Sequence, residues 1–463
     1  MPTSAFGDSP GAWVYLGILV LCNAVVTLVI ISLTGAFYQR CRHRRMVANL
    51  GKEQPAVVKV AHGSVTVLVP CYLPNEQHIL KGTVTHIMEN LEYPEPFLLI
   101  LCYNTPKPLA AEQELLPALE ATRWPNGRTL RVLKVEGSHS KAENLNACLP
   151  LITTETLVIY DADHHPDPPS LMFAAEMMRR KDCHCVQGST YLRYKPTLLA
   201  KILDAEFFVI FFCFFPAVQF LTRMGVFGGS NALWKTETLR KYMFRHDVQT
   251  EDIELSVRVL LGDIKIRFCP ESRSGELPPK SFKALWRQRL RWEIGWDQVT
   301  MQHFRDIRKS SLSCRKKASL YYWLPWRWLM LVTAAINAFV TPLFSLILST
   351  QSETLGPYNQ IMMNYSIGTY GVITLFIFAN ASLMAKRADI PYIVAFQLGS
   401  SLYLLWNALI VGTSLFRILT GRVDSQASHF GFYFGAREAE NEEAIEYEEP
   451  PSGHEQGLNT ADE

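Results

Sequence analysis

A long, mainly apolar run near the start of the chain, residues 12–37, places the first constraint on its architecture. It is longer than the roughly 20 residues that cross a bilayer as a helix. It also exceeds the apolar core of a signal peptide and lacks a small-residue cleavage pattern, which predicts an uncleaved anchor. The basic cluster QRCRHRR follows at once and marks the cytoplasmic side. Residues 1–50 are therefore predicted to be a transmembrane anchor with a basic juxtamembrane segment.

The region 321–416 is predicted to hold three more transmembrane helices. Its apolar segments cover residues 321–349, 361–385 and 391–416. The basic sequences CRKKAS and AKRAD then fall on the cytoplasmic side, in agreement with the first anchor. Counting spans places the C-terminus outside, although Arg417 and Arg422 argue against that side. The acidic tail 417–463 contains Pro and Gly and is predicted to be disordered.

Charge and cysteine content exclude some functional classes. The formal net charge is +2 over 463 residues, so the overall balance gives no indication of nucleic-acid binding. The ten cysteines show no paired zinc spacing. A reduced, cytosolic set of thiols is the interpretation that fits them.

Residues 51–280 are predicted to form one cytoplasmic α/β domain. Apolar β-rich runs alternate there with helical stretches, and the predicted strands are residues 64–70, 96–104, 129–135 and 156–163. This alternation predicts a mostly parallel sheet covered on both faces. Ligands of such sheets bind beyond the carboxyl ends of the strands. Residues 203–221 are apolar enough to span a membrane. A single span there would place Asp163 and Asp252 on opposite faces of the membrane. We therefore predict a domain helix that is partly buried or rests on the bilayer surface.

The motif DAD, at the end of the fourth predicted strand, is the first candidate site. In a strand, residues i and i+2 point the same way, so Asp161 and Asp163 would face one cation if the extended geometry persists. Carboxylate oxygens favour Mg²⁺ or Mn²⁺, and Mg²⁺ commonly takes its other ligands from substrate phosphates. The pair therefore indicates a nucleoside-diphosphate substrate. The alternative is an ordinary turn, because Asp and Pro are abundant in DADHHPDPP.

A second acidic motif, TED, opens a predicted helix. As a catalytic site, Asp252 with its neighbour Glu251 would supply a general base, kept ionised near neutral pH by the positive helix end. The alternative is helix stabilisation, since acids in a first turn contribute roughly 0.3–1 kcal/mol. Thr250 would then serve as the N-cap.

Arginine and tryptophan interleave along the third motif, in residues 281–320. This segment is predicted to form amphipathic helices at the membrane interface, with Trp anchors and Arg toward the head groups. In a catalytic role, Arg291 would neutralise a leaving diphosphate and Trp292 would stack on a sugar. Both interpretations can hold together.

Further polar residues in strand-to-helix turns complete the candidate set. Residues of these types more often serve as ordinary turn or cap residues. They are Tyr72, Asn75, Glu76, Lys141 and Ser230.

The order KAENLN, DAD, GGSNA, TED and QRLRW resembles the glycosyltransferase family 2 polysaccharide synthases, such as cellulose, chitin and hyaluronan synthases. The resemblance covers about residues 60–300, and the length is similar to that of short fungal members. It implies a GT-A fold in the cytosol, flanked by transmembrane helices. It also implies a UDP-sugar donor whose diphosphate is held by a divalent cation on Asp161 and Asp163. Asp252 would deprotonate the acceptor with inversion, and Gln288, Arg291 and Trp292 would line the diphosphate and acceptor end.

Two departures from the family pattern bear on the nucleotide. The second strand usually ends in an acidic residue, whereas here it ends in Tyr103 and Asn104, which could still hydrogen-bond uracil. The first motif is normally Pro-x-Tyr-Asn-Glu, but Leu73 and Pro74 separate Tyr72 from Asn75. Preference among nucleotides and the geometry of that loop therefore stay open.

Three functions fit these observations. The first is a processive inverting synthase that passes its polymer across the membrane, with UDP-sugar, growing polysaccharide and membrane lipid as partners and no nucleic acid. The plasma membrane is the expected location, with the Golgi or endoplasmic reticulum as alternatives. The second is a non-processive transferase that adds one sugar to a lipid acceptor, as in ceramide glucosylation. The third is a non-catalytic scaffold or channel, which retention of DAD, TED and QRLRW argues against.

Overall fold

The computed structural model of the chain describes residues 10–53, 63–336, 341–343, 345–346 and 356–423. Two predictions fall wholly or partly outside these ranges. The acidic tail beyond residue 423 lies outside them, and so does much of the segment 337–355, which contains the second half of the predicted span 321–349. Both stay predictions.

Eight strands and sixteen α-helices have bounds given by the described residues, and short 3₁₀ and π-helical turns accompany them. The strands are β1 Val65–Tyr72, β2 Leu98–Asn104, β3 Thr129–Lys134, β4 Thr156–Ile159, β5 His165–Pro166, β6 Cys185–Leu192, β7 Ala232–Lys235 and β8 Ile266–Glu276. The helices before the last strand are α1 Pro10–Glu53, α2 Leu73–Asn90, α3 Ala110–Gln113, α4 Leu115–Ala121, α5 Lys141–Cys148, α6 Ser170–Lys181, α7 Leu198–Val209, α8 Phe215–Thr222, α9 Thr236–Tyr242 and α10 Glu251–Leu261. The helices after it are α11 Phe282–Lys309, α12 Cys314–Trp323, α13 Trp326–Ala335, α14 Gly356–Met384, α15 Ile390–Leu398 and α16 Ser400–Leu419.

The strands form one mixed sheet in the order β3-β2-β1-β4-β7-β6-β8-β5. Four of its seven neighbouring pairs are parallel, namely β1 with β2 and β4, β2 with β3, and β6 with β8. The predicted α/β class is confirmed, and the four predicted strands are the first four in the chain. The fourth ends earlier than predicted, at Ile159, because a turn follows.

The sheet is covered on both faces, as its apolar strands predicted. Alternate residues of β1 point to opposite sides, so Val67 and Val69 belong to one core with α2 and α6, while Leu68 belongs to the other with α5 and α10. Trp234 on β7 is fully buried in the second core. A strand buried on both faces needs a nearly continuous apolar sequence, which explains the unbroken runs seen in β1 and β2.

Three helices in the described chain are long and apolar enough to cross a membrane: Pro10–Tyr38 within α1, Gly356–Met384 and Ser400–Leu419. The first two run antiparallel. Ser366 Oγ donates to Asn23 Oδ1 over 2.8 Å in the middle of the apolar part of α1, and Arg40 Nη1 donates to Asn380 Oδ1 over 3.3 Å just beyond that part. The part of α1 around Arg40 is therefore beside the α/β domain, where Arg40 also donates to Phe212 O.

The apolar segment 203–221 forms two helices, α7 and α8, joined by a π-helical turn at Ile210–Phe214. One side packs on α1, where Ala205, Phe208 and Phe212 meet Val29 and Leu33. The other side reaches the sheet, where the Phe268 N–H donates to Gln219 Oε1 over 2.7 Å. The segment thus lies between the sheet and the anchor, which agrees with the domain helix predicted for it.

Candidate active site

The two aspartates of DAD lie in a turn just beyond β4. The His164 N–H donates to Asp161 O over 2.9 Å and closes the turn. Extended geometry therefore does not persist from Asp161 to Asp163, because the chain reverses there. The prediction that strand alternation aligns the two carboxylates is wrong, and a turn brings them to this edge of the sheet.

Lys141, the first residue of α5, places a positive charge beside these carboxylates. Its Nζ lies 2.5 Å from Asp161 Oδ1 and 3.9 Å from Glu251 Oε1, and it donates to Gly229 O over 2.9 Å. Although burial lowers it, the charges of Asp161 and Glu251 raise the pKa of the Lys141 ammonium above its usual value. The lysine is therefore fully charged and joins three segments that are far apart in the sequence.

The glycine-rich turn packs tightly against TED. Gly229 has φ +87°, and a Cβ built on it would lie 3.1 Å from Asp252 Oδ2 and 3.6 Å from Lys141 Nζ. Ser230 is buried in the same turn, and its Oγ accepts the Asp161 N–H over 3.0 Å. The buried Gln187 fixes the turn by accepting from Gly228 N and donating to Ser230 O. Ser230 thus supports the DAD turn, and its contact with substrate stays a prediction.

The electrostatic state of Asp252 differs from the one expected at a helix N-terminus. Burial and the charge of Glu251 raise the pKa of Asp252 to about 7, and Lys141, the Ile253 N–H and Arg291 only partly oppose them. Asp252 is therefore protonated more readily than an exposed aspartate. A pKa near the working pH is the value that suits a general base.

Thr250 does not act as the predicted cap. It occupies the N-cap position of α10 but makes no capping bond, and among the described residues its buried Oγ1 has no hydrogen-bond partner. A Cβ built on Gly295 of α11 would collide with the Thr250 side chain. Gly295 thus lets α11 approach TED closely, a role that the sequence reasoning missed because a glycine inside a helix carries no local signal.

The same approach brings QRLRW to the site. Arg291 Nη1 donates to Gln249 O over 3.1 Å, and the arginine charge reaches Asp252. Trp292, one position further along α11, is half-buried, and the Arg289 guanidinium lies 4.4 Å from its ring centroid. Arg289 is held in turn by the buried Glu206, at 2.9 Å. The structure therefore places Arg291 beside Asp252, with Trp292 braced by a buried ion pair.

The residues predicted to contact the nucleotide lie at the ends of β1 and β2. Glu76 Oε2 accepts the Tyr72 N–H over 2.7 Å, so these two residues close one loop. Asn104 is buried, its Nδ2 donates to Ser138 O over 2.9 Å and its Oδ1 accepts from Asn144 over 2.8 Å. Both ends of that amide are engaged within the protein, and contact of Asn104 with uracil stays a prediction.

Besides Thr250 Oγ1, the buried groups Asn75 Nδ2 and Gln249 Oε1 next to the site have no hydrogen-bond partner in the described part of the chain. A buried donor without a hydrogen bond costs free energy. A ligand acceptor at Asn75 would remove that cost, which agrees with the prediction that Asn75 contacts substrate.

His164 and Glu276 were not among the predicted site residues. His164 follows DAD directly, is buried, and its Nε2 lies 3.2 Å from Glu276 Oε2 while Nδ1 meets Ser274 Oγ at 3.0 Å. Glu276 ends β8, so this contact ties the DAD turn to the last strand. The signal available in the sequence was only the adjacency of His164 to Asp163.

The donor set fits a hard divalent cation that completes its coordination with substrate. Asp161 and Asp163 offer carboxylate oxygens, the ligands that Mg²⁺ and Mn²⁺ prefer. Within the described residues no cluster of three or more His, Cys, Asp or Glu could enclose a metal by itself. A cation here would therefore depend on phosphate and water for its remaining ligands.

Curated relatives and solved structures resemble this chain. The poly-beta-1,6-N-acetyl-D-glucosamine synthase of Staphylococcus epidermidis is 26% identical over 279 residues, which is 58% of this chain and 64% of the relative. The synthase of the same name from Staphylococcus aureus (strain COL) is 22% identical over 248 residues, covering 53% of this chain and 58% of the relative. The chain thus spans less than two thirds of the length of these relatives.

Among solved structures, the mannosyltransferase PcManGT from Pyrobaculum calidifontis, in complex with GDP-Man and Mn²⁺, is 17% identical and has a TM-score of 0.45, covering 85% of this chain and 99% of its own. S. aureus TarS 1-349 with UDP-GlcNAc is 11% identical with a TM-score of 0.39, covering 73% and 91%. Likenesses this distant do not identify a donor. The profile of the family described as glycosyltransferase like family 2 matches residues 62–295, half of the chain including DAD, TED and QRLRW. The chain belongs to glycosyltransferase family 2.

Proposed function

We propose that this protein is an inverting, processive glycosyltransferase that polymerises a sugar from a UDP-sugar donor and passes the polymer across the membrane. The observation that carries the proposal is the convergence of Lys141, Asp161, Glu251 and Asp252 around the Gly229 turn, with Arg291 beside them. One cationic and three acidic side chains from three separate segments meet here, a concentration of charge that the packing of the sheet does not require.

Asp252 is the proposed general base. Its carboxylate would accept the proton of an acceptor hydroxyl as that oxygen attacks the anomeric carbon from the side opposite the leaving UDP, which inverts the configuration. The buried setting that raises its pKa to about 7 also makes it a stronger base than an exposed aspartate. Glu251, its neighbour, contributes through charge.

Arg291 and Lys141 would stabilise the diphosphate as negative charge develops on it. Fixed charges in a water-poor site are worth several kcal/mol to a transition state. Asp161 and Asp163 would hold Mg²⁺ or Mn²⁺, which would supply further positive charge to the leaving phosphates. Lys141, at 2.5 Å from Asp161, would then exchange part of that contact for phosphate.

Trp292 is proposed to contact the acceptor sugar, with Gln288 one helical turn earlier on the same face of α11. Two observations support this role of Trp292. It directly follows Arg291, and the Arg289 guanidinium packs over its ring. A tryptophan held in one orientation offers a flat apolar surface against which a sugar ring can slide between additions.

N-acetylglucosamine is the first donor sugar to test, because the curated relatives are named as synthases of a polymer of that sugar. The purified protein would be incubated with each common UDP-sugar, UDP release would be measured, and the product would be sized. Long polymer is the expected result. A single organic-extractable glycolipid would favour transfer to a lipid acceptor instead, and no UDP release with every donor would overturn the enzymatic proposal.

A further inference from the structure

Helices α15 and α16 together cover the last predicted membrane span, residues 391–416. Their contacts do not fit a single crossing of the membrane. We propose that they form a re-entrant pair. In this arrangement α15 enters the membrane from the side of the catalytic domain, the chain turns at Gly399, and α16 returns to the same side, where its outer face rests on the acyl chains of the adjoining lipid leaflet. The proposal goes beyond catalysis and does not depend on the donor sugar.

The entry of α15 is fixed to the catalytic domain. Asp389, its N-cap residue, pairs with Lys195 at 2.7 Å. One turn later, Tyr392 OH lies 3.2 Å from Lys201 Nζ on α7. Lys195 lies between β6 and α7 and Lys201 lies in α7, so α15 begins at the level of the domain.

The far end of α15 reaches well into the membrane along α14. Tyr370 OH donates to Gln397 O over 2.8 Å, and Gln397 Nε2 donates to Thr374 Oγ1 over 3.3 Å. Tyr370 precedes the domain-side end of α14, Met384, by 14 residues, or about 21 Å at the rise of an α-helix. With a hydrocarbon core about 30 Å thick, Gly399 lies inside the bilayer and not at its far surface.

The course of α16 then leads back to the domain. Tyr403 OH donates to Glu206 Oε1 of α7 over 2.7 Å, and the Trp406 ring lies 4.9 Å from that of Trp286 on α11. Eleven residues after Tyr403, Ser414 Oγ donates to Asp297 Oδ2 of α11 over 2.6 Å. A helix crossing to the far side would carry Ser414 about 16 Å further out.

The position of Asp297 identifies the side on which α16 ends. Two residues later on α11, Val299 is fully buried in the core of the catalytic domain. Asp297 also pairs with Arg327 and accepts from Trp328 Nε1, and a buried ion pair of this kind is costly in hydrocarbon. The end of α16 is therefore at the membrane boundary beside the domain. Arg417 lies in the last turn of α16 and Arg422 follows the helix, both on the side where basic residues accumulate.

The outward face of α16 supplies the contact with lipid. Its exposed apolar side chains recur at helical spacing along one stripe, namely Leu402, Leu405, Leu409, Phe416 and Leu419. The opposite face is the one that bonds to α7 and α11. Helix α14 also exposes apolar residues such as Leu375, and acyl chains are the partner that side chains of this kind fit.

Single cysteines can test the side directly, using the two ends of α1 as references. Trp13→Cys and Tyr38→Cys mark the far and near ends of the anchor, and Thr420→Cys marks the end of α16, one residue beyond the apolar stripe. All three positions are exposed. Each variant is made with Cys41→Ser and Cys314→Ser, because these two thiols are the ones not buried. A membrane-impermeant maleimide is then applied to sealed vesicles of both orientations.

We expect Thr420→Cys to show the same orientation preference as Tyr38→Cys. Labelling with the preference of Trp13→Cys would overturn the proposal. An epitope at the C-terminus gives a reading independent of thiol reactivity. In inside-out vesicles, protease should remove it together with the catalytic domain, and a protected epitope alongside a digested domain would overturn the proposal equally.

Discussion

Lys141 Nζ lies 2.5 Å from Asp161 Oδ1, so one half-buried ammonium joins the DAD turn to the acidic pair Glu251 and Asp252. The lysine charge lowers the pKa of Asp252, whereas the Glu251 charge raises it. Removing the Lys141 charge should therefore raise the pKa of Asp252, and removing the Glu251 charge should lower it.

The pH dependence of kcat/KM should report this balance. Asp252 works as a base only when deprotonated, so with its pKa at about 7 the rate should fall by about tenfold per pH unit below that value. We expect Lys141→Met to move this acid limb to higher pH and Glu251→Gln to move it to lower pH. Lys141→Arg keeps the charge and serves as the control. Identical acid limbs in all variants would remove Asp252 from the role of base.

Substitution of the base itself should separate chemistry from binding. Asp252→Asn is nearly isosteric but cannot take a proton, so we expect sugar transfer to fall by about 10²–10⁴-fold, the usual contribution of a general base. UDP affinity, measured by calorimetry, should change little. Asp263→Asn, an exposed acid beyond the end of α10, is the matched control. Turnover by Asp252→Asn close to that of the control would contradict the assignment.

The glycine turn offers a pair of adjacent variants. Gly229→Ala should abolish transfer, because its Cβ would lie 3.1 Å from Asp252 Oδ2 and its φ of +87° strains any L-residue. Gly228→Ala should be mild, since its nearest neighbour is 3.9 Å away and its φ is not positive. UDP release assays on both, with thermal unfolding to check folding, measure the difference. Equal activity of the two variants would show that the turn does not need to fit Asp252 closely.

The contact between α11 and TED should be equally sensitive. Gly295→Ala would force α11 away from Thr250 and weaken the bond from Arg291 to Gln249 O. We expect a large loss of kcat in a protein that still folds. Gly371→Ala, on the membrane helix α14 where the new Cβ meets nothing within 4 Å, should have little effect. Full activity of Gly295→Ala would show that catalysis does not need QRLRW on α11 to lie this close to TED.

Divalent-cation binding should depend on the DAD turn. Calorimetry with UDP and Mn²⁺ should show weaker binding for Asp161→Ala and for Asp163→Ala, because each removes a carboxylate oxygen from the proposed coordination. Binding of UDP in the presence of EDTA should be equally weak in the native protein and in both variants. Unchanged Mn²⁺-dependent affinity in either variant would remove that residue from the metal site.

Much of the architecture follows from local patterns in the sequence. The anchor in α1 and the strands β1 to β4 were predictable because apolar runs of fixed length and period report burial directly. The order of DAD, TED and QRLRW identified the residues that meet at the site, since each motif sits where a strand or helix ends. Within one family, that order carries the fold with it.

The charges and the course of the chain were decided only by tertiary structure. The pKa of Asp252 depends on its burial and on Lys141, which is more than a hundred residues away, and no local pattern records such a neighbour. The sequence predicted that Asn104 could hydrogen-bond a nucleotide base, whereas in the fold its amide is hydrogen-bonded to Asn144 and Ser138. The same holds for α16, whose composition alone permits a span. An apolar sequence shows only that a helix contacts an apolar environment. The hydrogen bonds from α16 to Glu206 and Asp297 determine on which side of the membrane that helix ends.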